Sequence, residues 1–422
     1  MSRIVMSAAG SWGDVLPFVP VAHAMQARGH EVEFVVPGGF HERLRREGLA
    51  VRSAGWEIGP DELAALDVDW SRGSGLLMMR AVMRELILPR LDDAYAALES
   101  AAAGAALLAC HVNQVMAPIV SARTGVPYAA LSLFPMVVPT AEGLASSPLP
   151  QLPGPLRRVG NRLLLPTLLR AARWTFHDRE FNRLRARLGL PARHAYFMTA
   201  ALDADRYLAL VPASFVPRPT DWPPHAQLTG FCAWDGDRAA TVPKEVDEFL
   251  AAGDPPVLVT MGSAGSAGFT ELLGAIAAAL DQRNLRGLVL LGDARHRSDS
   301  LDGRPGVAEF APLSAVLPRC RAVIHHGGYG TAAATLLAGL PAVTVSPMPD
   351  QLWYGRRTEA LGAGIALSWR RRHRVGTALD DLLRDASFGQ AATAYHDSLA
   401  NEDGVATTCD SLEEMLATRL PG

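Results

Sequence analysis

The sequence predicts an α/β protein made of two halves, each a doubly wound parallel sheet, facing one another across a cleft. Three observations carry this. Short continuous apolar runs alternate with longer helical patterns, which marks strands buried on both faces and joined by right-handed crossovers. The alternation occurs twice, on either side of a stretch with five prolines at 211–224. The chain of 422 residues is too long for one ordinary core and comfortable for two domains.

Taken in order, Arg3–Ala8, Glu31–Val36, Leu107–His111, Tyr128–Leu133 and Tyr207–Val211 read as strands of the first half. Leu16–Arg28 and Ala117–Arg123 read as helices between them. Proline cannot donate to a ladder and breaks helices, so the proline-rich stretch is the expected connector. The expected limits are 1–212 for the N-terminal domain, 213–226 for the linker and 227–395 for the C-terminal domain. In the second half, Val257–Met261, Gly287–Leu291, Val307–Phe310, Ala322–His325 and Ala342–Ser346 read as strands. Two segments depart from this regularity. Residues 73–90 place Leu76, Met79, Met83, Leu86 and Ile87 at helical spacing, and 134–200 opens Pro- and Ser-rich before a Leu- and Arg-rich helical pattern. Such stripes are core faces or walls of an apolar pocket.

Composition narrows the function. Forty Lys+Arg against forty-three Asp+Glu leave a net charge of −3, so no strong field favours nucleic acid or an anionic membrane. Lys244 is the only lysine and sits in a polar Pro-Lys-Glu context, which excludes a Schiff-base enzyme and a P-loop. Cys110, Cys232, Cys320 and Cys409 lie far apart, as reduced thiols of a cytoplasmic protein would. The opening apolar run is too short for a secretory signal, and no run reaches the length of a spanning helix. No histidine shows ligand spacing, so no metal site is expected.

The strongest motif is Arg321-Ala-Val-Ile-His-His-Gly-Gly-Tyr-Gly-Thr-Ala-Ala-Ala-Thr-Leu-Leu-Ala-Gly-Leu-Pro341. A buried strand ends at His325–His326, a glycine-rich turn follows, and an alanine-rich helix runs to about Ala338, stopped by Gly339 and Pro341. Gly327, Gly328 and Gly330 let backbone N–H groups approach a ligand at a helix N-terminus, which is an anion site. Thr331 and His326 can donate to the same anion. After the next strand come Asp350 and Gln351, whose acceptors and donors suit adjacent sugar hydroxyls; an N-cap is the other reading of Asp350. Thr260-Met-Gly-Ser263 and Phe310-Ala-Pro-Leu313 end two further strands, the second offering a ring to a nucleobase.

Phe310-Ala-Pro, His325-His-Gly-Gly-Tyr-Gly-Thr331, Gly339-Leu-Pro341, Asp350-Gln351 and Leu361-Gly-Ala-Gly364, in that order, resemble the GT-B-fold, family-one-type glycosyltransferases that use nucleotide-diphosphate sugars. Gly13-Asp-Val-Leu-Pro17, Asn161-Arg-Leu163, Leu188-Gly-Leu-Pro191 and Pro217–Pro223 extend the likeness to the bacterial natural-product branch and the sterol 3-β-glucosyltransferases. The resemblance implies an N-terminal acceptor-binding domain, a C-terminal nucleotide-sugar domain, and a last helix within 396–422 packing back on the first domain. It implies that His326, Gly327, Gly328, Gly330 and Thr331 hold the donor diphosphate, with Ser263 near the phosphates. Phe310 would then stack on the base and Asp350 and Gln351 hold the sugar. Plant members carry tryptophan and glutamine where Phe310 and Leu313 stand, and a glutamate on the ribose where Ala334 stands.

The first strand ends in Ala9-Gly-Ser-Trp-Gly-Asp-Val-Leu-Pro17. Gly10 and Gly13 keep this loop close to whatever fills the cleft. Many relatives carry a histidine base here; the Gly-Asp variant resembles glycopeptide and sterol-type members, in which the aspartate is proposed as base. Asp14 is therefore the expected base, with an N-capping role as its structural alternative. His111, at the end of its strand, would orient Asp14 or take the proton itself. The expected reaction is inverting transfer of a hexose, UDP-glucose favoured over a TDP-linked sugar, to a hydroxyl of a bulky apolar acceptor. No cofactor is needed beyond this co-substrate. A nicotinamide oxidoreductase is disfavoured because Gly10–Gly13 lacks the third glycine and no acidic residue closes the strand at Val35–Val36. A non-catalytic relative of the fold, or an epimerase needing no acceptor, are the alternatives.

Overall fold

Runs of apolar residues in a central strand need cover on both faces, and the structure provides it twice. The computed structural model describes residues 1–57, 80, 83–135, 140, 159–164, 167, 169–170, 173, 176–234, 236, 241–262, 269–292, 299 and 301–418. The first sheet contains β1 (Arg3–Ser7), β2 (Glu31–Val36), β3 (Ala50–Ser53), β4 (Leu107–His111), β5 (Tyr128–Ser132), β6 (Arg206–Ala209) and β7 (Ala226–Leu228), in the order β3-β2-β1-β4-β5-β6-β7. The second contains β8 (Val257–Thr260), β9 (Gly287–Leu290), β10 (Val307–Ala308), β11 (Ala322–His325), β12 (Ala342–Ser346) and β13 (Gly364–Ser368), in the order β10-β9-β8-β11-β12-β13. All pairings are parallel.

Burial follows the pleat. In β8, Val257 and Val259 pack into one apolar cluster with Phe269, Ile276 and Ile324, while Leu258 points the other way into a cluster with Leu288, Val316 and Val323. Each sheet reverses its winding once, between β1 and β4 and between β8 and β11. Ligands of open parallel sheets bind beyond the carboxyl ends of the strands at such points. The loops there are Ala8–Asp14 and His111–Asn113 in the first half, and Met261–Gly262 and His326–Gly330 in the second.

Three features differ from the sequence reading. The stretch Leu16–Arg28 is not one helix: Trp12–Val15 and Val19–Ala27 are helical and Leu16–Phe18 forms a 3₁₀ turn. Pro17 and Pro20 fall in the first turns of the second and third pieces, where a missing N–H costs nothing. The proline-rich stretch leads back into the first sheet, adding β7 beside β6, so the expected linker 213–226 runs into a strand of that sheet and the chain leaves the sheet after Leu228. Strands β3, β7 and β13, absent from the sequence reading, are the short or half-buried ones at or near sheet edges.

The last helix, Gly404–Ala417, lies against Val19–Ala27 of the first domain. Arg28 pairs with Asp410 at 2.6 Å and Glu413 at 2.7 Å, and Thr408 donates to Thr229 at 2.9 Å. No described helix is long and apolar enough to cross a membrane.

Candidate active site

Asp14 is the third residue of the helix Trp12–Val15. Its Oδ2 accepts the Ser11 N–H at 2.7 Å and the Ser11 hydroxyl at 2.9 Å, so one carboxylate oxygen fixes the loop. The carboxylate folds back over Gly10, where a Cβ would meet Oδ2 at 2.3 Å. Asp14 therefore has the capping role of an acid in the first turn, yet its side chain keeps 28% exposure and Oδ1 is turned toward His111. Burial raises its pKa, and the two Ser11 hydrogen bonds oppose that rise.

His111 is buried at the end of β4, its Nε2 4.0 Å from Asp14 Oδ1. Its Nδ1 accepts the Asn113 N–H at 3.3 Å. Nδ1 is thus the unprotonated nitrogen, and the ring N–H faces Asp14. Burial pushes the His111 pKa down to about 3, so the ring is neutral.

On the opposite domain, the helix Tyr329–Leu337 makes its first backbone bond from Ala332 N–H to Gly328 C=O, at 2.9 Å. The N–H groups of Tyr329, Gly330 and Thr331 are left without a helical acceptor, as an anion site requires. Gly327 has φ +91°, and a Cβ there would meet the Gln351 carbonyl at 2.4 Å and Ser346 Oγ at 2.9 Å. Both the backbone conformation and the space demand glycine. The His326 ring is wedged between two glycines: a Cβ at Gly328 would lie 2.3 Å from Nε2, and one at Gly262 would lie 2.7 Å from Cε1. Burial holds His326 neutral, with a pKa pushed down to about 4, and its Nδ1 has no hydrogen-bond partner. His325 is a structural companion whose Nδ1 accepts the Gly327 N–H at 3.1 Å. Gly262 was not singled out from the sequence, although its Thr-Met-Gly-Ser turn was. Gly262→Ala is expected to displace the His326 ring and weaken nucleotide binding roughly tenfold or more, as measured by calorimetry, because φ +72° also disfavours alanine.

Asp350 and Gln351 open the helix Pro349–Ala360. The Asp350 carboxylate accepts its own N–H and that of Gln351, which lowers its pKa, but burial and the Asp14 charge across the cleft outweigh this and push it up to about 6. Asp14 follows β1 and Asp350 follows β12, so the two carboxylates face each other from the carboxyl ends of the two sheets. Gln351 Oε1 is buried without a partner there, as is Ser346 Oγ.

A raised carboxyl pKa means the folded state binds the proton more tightly than the unfolded chain. Ionising Asp350 therefore costs stability as pH rises from about 4 to about 6. Asp350→Asn should raise Tm relative to the unaltered protein at about pH 8 and leave it unchanged near pH 3.5 while lowering activity, a difference that thermal unfolding at the two pH values reads.

The remaining expected site residues fall as follows. Phe310 is exposed at 49% beyond β10 and Thr331 is buried in the first turn of its helix. A Cβ at Gly330 would meet nothing within 4 Å, and one at Gly13 would touch only Ser11 Oγ at 3.3 Å. Ser263 lies outside the described residues, as do Leu76, Met79 and most of 134–175. Of the stripe at 73–90, Met83 is core, whereas Leu86 and Ile87 line a small pocket of about 30 Å³. Ala9, Trp56, Arg90 and Asn113–Met116 complete most of its wall, beside the loops that carry Asp14 and His111. Among the described residues no cluster of three potential ligands could hold a metal ion.

Residues 4–132 match the sequence profile of the glycosyltransferase family 28 N-terminal domain, and residues 272–415 that of the erythromycin biosynthesis protein CIII-like C-terminal domain. The O-mycaminosyltylonolide 6-deoxyallosyltransferase of Streptomyces fradiae is 30% identical over 438 residues, covering 99% of this chain and 98% of that one. A sterol 3-beta-glucosyltransferase of Arabidopsis thaliana is 26% identical, covering 96% of this chain and 64% of the plant protein. Among solved structures, the Streptomyces sp. SF2575 glycosyltransferase complexed with thymidine diphosphate superposes with a TM-score of 0.66 at 20% identity, covering 98% of this chain and all of that one. With two parallel Rossmann-like sheets meeting at their carboxyl ends and a relative this similar over its whole length, the chain belongs to the GT-B, family-one-like glycosyltransferases.

Proposed function

We propose that this glycosyltransferase moves a hexose from a nucleoside diphosphate sugar to a hydroxyl of a bulky, largely apolar acceptor, inverting the anomeric centre. The observation that carries the proposal is the start of the helix Tyr329–Leu337, three amides without a helical acceptor, packed through Gly327 against the opening of the helix that bears Asp350 and Gln351.

The acceptor oxygen attacks the anomeric carbon while the bond from that carbon to the diphosphate oxygen breaks. The acceptor proton passes to Asp14 as the new bond forms, since a carboxylate is a far weaker base than an alkoxide. His111 is not the base: its free lone pair is engaged by the Asn113 N–H, and Nε2 faces Asp14 Oδ1 at 4.0 Å. Negative charge grows on the leaving diphosphate, where the amides of Tyr329–Thr331 and the His326 ring are already aimed. Gln351 and Asp350 hold the sugar hydroxyls, and Phe310 presents its exposed face to the base.

For the acceptor, the apolar wall of Leu86, Ile87 and Met116 beside the Asp14 loop supports a largely apolar alcohol, and its bulk is suggested by the names of the two relatives, an O-mycaminosyltylonolide 6-deoxyallosyltransferase and a sterol 3-beta-glucosyltransferase. For the nucleoside, Ala334 offers no carboxylate to a ribose 2′-hydroxyl, and the Streptomyces neighbour was solved with thymidine diphosphate. These favour a thymidine-linked donor over UDP-glucose. Incubation with thymidine- and uridine-linked hexoses, with and without macrolactone and sterol acceptors, tests the reading. Acceptor-dependent nucleotide release with a β-linked product from an α-linked donor is expected. Equal release without acceptor would point to the epimerase alternative.

A further inference from the structure

Two buried tyrosines tie the donor-side helices to backbone carbonyls of the other domain. Tyr329 follows Gly328 at the start of the anion-facing helix. Its hydroxyl donates to the Leu210 carbonyl at 2.8 Å and accepts the Cys232 N–H at 2.7 Å. Leu210 lies just beyond β6, and Cys232 lies where the chain leaves the first sheet. Tyr354 stands one turn past Asp350 on the sugar-facing helix, and its hydroxyl donates to the carbonyl of Leu133, just beyond β5. The two rings meet edge to face at 6.0 Å. Phe215 of the first domain stacks on Tyr354 at 5.7 Å, and Arg357 Nε donates to the Phe215 carbonyl at 3.0 Å. Each helix that carries a donor-facing group therefore has its own hydroxyl tether, and both tethers end at the rim of the sheet that carries Asp14.

We propose that Tyr329 and Tyr354 are positioning residues that set the gap between the donor sugar and Asp14 by pinning the diphosphate helix and the sugar helix to the carbonyls beyond β6 and β5. The inference rests on the donor and base assignments proposed above. Donor binding uses second-domain groups alone, whereas displacement needs the anomeric carbon, held by one domain, within about 3–3.5 Å of an acceptor oxygen presented by the other. A misplacement of about 1 Å costs roughly 10²-fold in rate. A loosened tether should leave nucleotide affinity intact and slow the chemistry. Buried hydrogen bonds with a purely structural role would lower Tm and leave the rate per folded site unchanged.

The test uses Tyr329→Phe, Tyr354→Phe and the double variant, with sites counted by calorimetric titration of thymidine or uridine diphosphate. Expected are nucleotide dissociation constants within about twofold of the unaltered protein, with kcat per titrated site about tenfold lower in each single variant and roughly 10²-fold lower in the double. Unchanged kcat per titrated site, or affinity and kcat falling together, overturns the inference. If Tyr329→Phe does not fold, Tyr354→Phe alone decides by the same criteria. Failure of the unaltered protein to bind either nucleotide would instead overturn the donor assignment, so the two failures are distinct.

Discussion

Asp14→Asn keeps nucleoside diphosphate affinity within about twofold and lowers kcat for glycosyl transfer by roughly 10²–10⁴-fold, the usual worth of a positioned general base. Asparagine is isosteric, so the close approach of this side chain to Gly10 and its bonds from Ser11 can be kept through the amide oxygen. What is lost is the capacity to accept the acceptor proton. His111 cannot substitute, because its Nδ1 is occupied by the Asn113 N–H and burial holds its pKa near 3. The same change removes the charge that raises Asp350, so the Asp350 pKa falls. Single-turnover kinetics beside calorimetric titration separates the two effects. Equal loss of binding and rate would place Asp14 in donor binding instead.

The second large effect is expected at Gly327. Alanine there pays for a left-handed backbone, about 1–2 kcal/mol, and its Cβ would overlap the Gln351 carbonyl at 2.4 Å. That carbonyl belongs to the backbone that opens the helix Pro349–Ala360, so it cannot yield without moving the helix that carries Asp350, and Ser346 Oγ lies within 2.9 Å as well. Gly327→Ala is expected to lower Tm by several degrees and to weaken nucleotide binding about 10²-fold or more, since the overlap displaces the turn proposed to hold the phosphates. Scanning calorimetry and nucleotide titration on the same sample read both effects. Unchanged affinity with only a lowered Tm would detach the Gly327 turn from the donor site.

Much of this architecture was readable in the amino-acid order. Ten strands announced themselves because a parallel strand covered on both faces must be a continuous apolar run, as in Val257–Thr260 or Leu107–Cys110. Ala50–Ser53 escaped because an edge strand buries only part of its surface, and Arg52 instead reaches Glu33 at 2.9 Å on the exterior. Ala226–Leu228 escaped because three residues after a run of prolines carry no periodicity. The donor turn was legible because glycines, a histidine and a helix start are adjacent in sequence. Gly262, Tyr329 and Tyr354 were not, since their roles depend on partners brought close only by folding: the His326 ring for Gly262, and carbonyls 119 and 221 residues away for the two tyrosines. The tautomer of His111 likewise follows from one backbone N–H that no spacing encodes.

The central claim is that the amide-bearing start of the helix Tyr329–Leu337 holds the diphosphate. Gly330→Ala tests it most directly, because the added methyl would meet nothing of the protein within 4 Å and requires no unusual backbone. Calorimetric titration of thymidine and uridine diphosphates should give clear binding to the unaltered protein and at least about tenfold weaker binding to this variant at an unchanged or raised Tm, since alanine favours the helix, so the loss can come only from the ligand's own proximity. Equal affinity in the two proteins, or no binding of either nucleotide to the unaltered one, would contradict it.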